Sequence, residues 1–143
     1  MEQESKTQVY EEPILLLLLS KGGVLLFTYP FTKEQKLYDE LIRAFLPTFT
    51  TFNTDIFPKG LNRLKFGDYV VVIDTVRDYS LCYVFKGNII NAIQKLQKLK
   101  TFMENFDTIW PHLEESVKKN RVIEIRDFSS FVDAIRDIFN FLA

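Results

Sequence analysis

The sequence predicts a layered α/β (α+β) fold: a five-stranded antiparallel sheet between one helix on one face and two or three helices on the other. Three observations predict it. Residues 13–31, PILLLLLSKGGVLLFTYPF, are two apolar runs broken by a Gly-Gly pair. Three more runs, LNRLKF, YVVVIDTV and YSLCYVFK, follow across two-residue polar breaks. Apolar residues at helical spacing recur over 33–52, 89–105 and 128–142.

The first pair of runs predicts a hairpin with strands at 14–19 and 24–29. A membrane-spanning helix needs roughly 20 apolar residues, and Lys21 with the glycine pair interrupts this one. A secretory leader needs a basic start and a small-residue cleavage site, whereas residues 1–12, MEQESKTQVYEE, are acidic. Those residues read as a flexible segment ahead of a single domain over 13–143. Both strands are nearly unbroken Leu, Val, Phe and Tyr, which suits strands covered on both faces.

Thr32 is placed to cap the first helix, with Gln35 completing a capping box. The helix is expected over 33–52, with Leu37, Tyr38, Leu41, Ile42, Phe45, Leu46, Phe49 and Phe52 as its apolar residues. They span roughly half the circumference, more than the ~100° stripe of an ordinary surface helix. Pro47 falls on the polar face; the alternative is a helix that ends near Leu46. Residues 53–60 read as a loop. A three-stranded meander follows over 61–66, 69–76 and 79–86, with Gly67-Asp68 and Arg77-Asp78 as turns. Arg63 and Lys65 point away from Leu64 and Phe66, and such charges suit an edge strand. Asn88 is expected to cap the second helix, 89–105. Trp110-Pro111-His112 opens a short helix with acids early and lysines late. RVIEIR, 121–126, reads as extended, and a last helix is expected over 128–142.

Composition narrows the function. The chain has 143 residues, with 18 Lys plus Arg against 19 Asp plus Glu, for a net charge of −1. A nucleic-acid binder needs a basic surface, so no nucleic-acid partner is expected, and neither is direct membrane insertion. The expected location is the cytoplasm. One cysteine, Cys82, and one histidine, His112, leave no Cys-based cluster and no site that needs two histidines. Ser20-Lys21-Gly22-Gly23 lacks phosphate-loop spacing and is followed by a strand. Asp74, inside a strand, is expected to reach solvent beyond the covering helix, and Lys95, Lys98 and Lys100 to lie on a solvated helix face. No catalytic, cofactor-binding or metal-ligating residues are assigned and no cofactor is expected, so the chain is not read as an enzyme.

The excess apolar surface of the first helix is the feature that asks for a partner, since exposed apolar area marks interfaces. The candidate interface is the margins of that helix's apolar stripe, Leu37 and Leu41 on one side and Ile42, Leu46 and Phe49 on the other, with Arg63 and Lys65 on the edge strand. The alternative is that sheet and loop bury all of it.

The order β-β-α-β-β-β-α-α resembles the longin domain, of the longin and roadblock group. The matching stretches are LLLLLSKGGVLLFTYP, LYDELIRAFLPTFTTF, LNRLKFGDYVVVIDTVRDYSLCYVFKG and NIINAIQKLQKLKTFMENF. The likeness is particularly to stand-alone longin-like proteins of archaea related to eukaryotes. It implies a non-catalytic platform that forms a homodimer, or a heterodimer with a similar domain, and binds or regulates a small GTPase or a vesicle-trafficking complex. A ligand-sensing domain of PAS or profilin-like architecture is the competing reading. It needs a cavity lined by polar groups, where this chain offers dense Leu and Phe.

Overall fold

The computed structural model describes residues 10–20, 23–52, 62–119, 121–123 and 127–139, with the side chains of 46, 48–52, 62 and 66 outside that description. The elements are β1 (Glu11–Leu19), β2 (Leu25–Pro30), α1 (Gln35–Phe52), β3 (Asn62–Phe66), β4 (Tyr69–Val76), β5 (Tyr79–Gly87), α2 (Ile90–Glu104), α3 (Ile109–Lys119) and α4 (Ser129–Phe139). All strand pairs are antiparallel, in the order β2-β1-β5-β4-β3. The predicted fold class and element order are those observed.

The hairpin turn draws on Gly23. Gly23 takes a φ of 86°, a left-handed conformation open to glycine. Its N–H donates to the Ser20 carbonyl at 2.9 Å, and the Ser20 hydroxyl accepts from the Val24 N–H at 3.1 Å. β1 then lies inside the sheet between β2 and β5, and its leucines serve two cores. Leu15, Leu17 and Leu19 join Val71, Ile73, Cys82 and Val84 on one face, where α1 adds Leu41 and Phe45. Leu16 and Leu18 join Val72, Leu81, Tyr83 and Phe85 on the other, under α2, α3 and α4. Burial of such side chains contributes about 1.5–3 kcal/mol each, which is why strands without alternation hold in the centre of this sheet.

Several local expectations change. β1 begins at Glu11, inside the segment expected to be flexible, because Glu11 and Glu12 pair with Gly87 and Lys86. Thr32 lies ahead of α1 rather than capping it: its hydroxyl accepts from the Glu34 N–H at 3.1 Å in the turn before the helix, whose first accepting carbonyl is that of Glu34. Gln35 turns forward to Asp39 at 2.9 Å, so no capping box forms. α1 does run through the exposed Pro47 to Phe52, as the main reading expected, and the alternative end near Leu46 is not taken. Asn88 does not cap α2: its N–H donates to the Tyr10 carbonyl at 2.7 Å, and the cap position is Ile89, with no side-chain cap. The glycine turn residues 21–22, the loop 53–60, residues 124–126 and the end of the last helix lie outside the described residues.

Candidate interaction surface

α1 lies across its sheet face through Phe45, 2% exposed, and Leu41. Leu41 was expected at the margin of the apolar stripe; at 8% exposure it is core. The reason is spacing, since Leu41 is one turn before Phe45 and shares its direction onto the sheet. Leu37, Tyr38 and Ile42 flank this pair, half-buried against the same cluster. Tyr38 is tied to β2 by a 2.7 Å hydrogen bond between its hydroxyl and that of Thr28. The side chains of Leu46 and Phe49 lie outside the described residues.

β3 closes the sheet, and among the described residues no strand pairs with its outer side. Leu64, opposite Val71, turns to the α1 face and packs with that cluster. Arg63 and Lys65 are exposed opposite Val72 and Val70, whose side chains belong to the other face. The sequence grouped the helix margin and the two cations as one surface. The structure places Leu37, Ile42 and Leu64 on one face of the sheet and the cations on the other.

The polar clusters were not foreseen. Between Pro13 and Leu15 the β1–β5 register shifts, so Ile14 and Leu15 both face α1. That bulge turns Glu11 toward α2. Its carboxylate, 5% exposed, accepts from the Tyr83 hydroxyl and from Lys95 Nζ at 3.0 Å, while Oε1 has no hydrogen-bond partner among the described residues. Asp74, expected in solvent, is 4% exposed. It accepts from the Thr75 N–H at 2.8 Å and faces Lys100 Nζ at 3.5 Å. Lys95 and Lys100 therefore hold α2 to the sheet, which corrects their reading as a purely solvated face. Arg77, at a φ of 55°, sets its guanidinium 4.0 Å over the Trp110 ring. Trp110 stacks on Tyr79, and its Nε1 donates to the Met103 carbonyl at 3.1 Å.

Reactive groups are placed apart. Cys82 is fully buried, and burial pushes its thiol well above the ordinary range. A thiol held protonated is a poor nucleophile. His112 is exposed on α3, edge-on to Phe128 at 5.1 Å. It borders an open cleft of about 380 Å³ between α3, residues 121–123 and the start of α4. There Lys119, 3.0 Å from Glu115, hydrogen-bonds its carboxyl and holds it below the usual range. Among the described residues no three His, Cys, Asp or Glu side chains could hold a metal ion, and no helix is long and apolar enough to cross a membrane.

No protein-family model and no curated protein matches the sequence. Among solved structures, the chain is similar to MglC from Myxococcus xanthus, at 16% identity and a TM-score of 0.39 over 60% of this chain and 79% of that one.

Proposed function

We propose that this protein is a non-catalytic interaction module that pairs through α1 with a second copy or a similar domain. One observation carries the reading. Among the described residues α1 alone lies over its sheet face, and Leu37 and Ile42 stay half-open on its flanks while Leu41 and Phe45 fill the core beneath. A symmetric pair about a two-fold axis is the commonest way to cover such flanks. The resemblance to longin domains extends the proposal: the paired platform binds or regulates a small GTPase or a trafficking-type complex. Light scattering tests both parts, on the protein alone and mixed with small GTPases in their GDP and GTP-analogue forms. The expected result is a mass twice that of one chain, rising further with a GTPase. A single-chain mass in every mixture contradicts it.

A further inference from the structure

The outer edge of β3 carries a charge pattern that selects its occupant. Arg63 and Lys65 are exposed, two residues apart, so both project on the sheet face that carries α2. Leu64 between them turns to the α1 face and is half-buried. The acid nearest along that face of β4 is Asp74, one same-face step beyond Val72, the partner of Arg63. Asp74 is already engaged by Lys100 and the Thr75 amide. Among described residues the other nearby acid is Asp68, exposed in the turn that leaves β3.

Two copies of this chain could in principle join at β3 to extend the sheet. A two-fold axis through such a joint brings like parity opposite like parity. It sets Arg63 of one copy against Lys65 of the other, or Arg63 against Arg63, or Lys65 against Lys65. Like charges directly opposite one another destabilise a strand pair. Self-pairing at this edge is therefore disfavoured in the registers centred on residues 63, 64 or 65.

The geometry points to a different occupant: an extended segment of a partner protein with acidic residues at alternate positions and an apolar residue between them. Main-chain hydrogen bonds to β3 supply the affinity common to strand addition. Two carboxylates opposite Arg63 and Lys65 supply the selectivity, and the intervening apolar side chain continues the layer of Leu64. This goes beyond the proposed function, which pairs the module through α1, and does not rest on that pairing. The α1 face remains for pairing with a similar domain, so one module holds two kinds of partner at once.

The probe is a blocked eight-residue peptide alternating Glu and Val, with Lys/Val and Thr/Val peptides as controls. It is added to wild-type protein diluted until sedimentation shows single chains. Hydrogen exchange at the amides of residues 62–66 reads the edge, and titration reads the affinity. The Glu/Val peptide is expected to slow exchange there and to bind at least about tenfold more tightly than the Lys/Val peptide. The preference should shrink with salt, as screening requires. The double variant Arg63→Glu, Lys65→Glu alters only exposed side chains, keeps the circular dichroism of the wild type, and is expected to invert the preference. Equal binding of the three peptides, no binding of any, or an uninverted preference overturns the inference. So does slowed exchange at 62–66 that grows with wild-type concentration in the absence of peptide. Because α1-mediated pairing is read by sedimentation and the edge by peptide and exchange, either claim can fail alone.

Discussion

Gly87 leaves no room for even a single added methyl group. Its φ of 114° is one that L side chains rarely adopt, and an added Cβ would sit 2.2 Å from the Tyr10 carbonyl oxygen. Gly67, at a φ of 55°, has nothing within 4 Å of the same position. Gly67→Ala therefore tests the backbone cost alone, about 1–2 kcal/mol, and Gly87→Ala adds a clash with fixed main chain. Urea unfolding should rank Gly87→Ala well below Gly67→Ala; equal losses would show that β1 can move away from β5. The buried Glu11 cluster makes a second prediction. Lys95→Met removes the ammonium beside a carboxylate that is 5% exposed. Breaking such a pair from one side costs about 3 kcal/mol, so the unfolding midpoint should drop accordingly, and an unchanged midpoint would mean the cluster is not formed. Cys82 and Tyr83 make a third. Burial raises both groups above their ordinary values of 9.0 and 10.0, and the Glu11 hydrogen bond adds to the rise at Tyr83. The folded chain thus keeps protons that the unfolded chain loses in alkali. Stability is full below about pH 9 and falls as pH rises beyond it. Tyr83→Phe should flatten that alkaline fall, and an unaltered slope would rule Tyr83 out as its source.

At the scale of elements, the β4–β5 turn and α3 hold one another through Arg77 and Trp110. Arg77 stays in a left-handed conformation with its guanidinium over the Trp110 ring. The two contributions can be separated. Arg77→Ala keeps the backbone strain and loses the cation–π contact, worth about 0.5–1 kcal/mol at an exposed site. Arg77→Gly loses the same contact and relieves the strain. The glycine variant should be the more stable of the two by about 1 kcal/mol, measured by chemical denaturation; the reverse order would place the turn's strain elsewhere. The elements themselves were legible because their signals are local: glycine turns, polar two-residue breaks, and helical spacing. What stayed hidden depends on one element's position over another. The run from Ile14 to Leu19 is apolar at every position, so the bulge at Ile14 leaves no trace in the pattern. Without it, Glu11 would face α1 and could not meet Tyr83 and Lys95. The Asp74–Lys100 pair likewise needs the register of α2 over the sheet, which periodicity does not contain. A helical wheel gives direction but not depth, which is why Leu41 read as margin and is core. Arg63 and Lys65 were read correctly as exposed on an edge, and the face they share emerged only from the β3–β4 register.

Over the whole molecule the two sheet faces are covered unequally. Three helices fill one face with Leu96, Leu99, Trp110, Leu113, Phe131 and Phe139, among others, all buried. Among the described residues the other face has α1 alone, with half-open apolar flanks at Leu37 and Ile42. That asymmetry is the physical basis of the proposed contact with other proteins. Sedimentation equilibrium at micromolar concentration, on the wild type and on Ile42→Glu, tests it most directly. The wild type is expected to be a dimer and Ile42→Glu a folded monomer with unchanged circular dichroism. A wild type that stays monomeric at every concentration, or an Ile42→Glu protein that unfolds rather than dissociates, would make the flanks of α1 ordinary core and contradict the account.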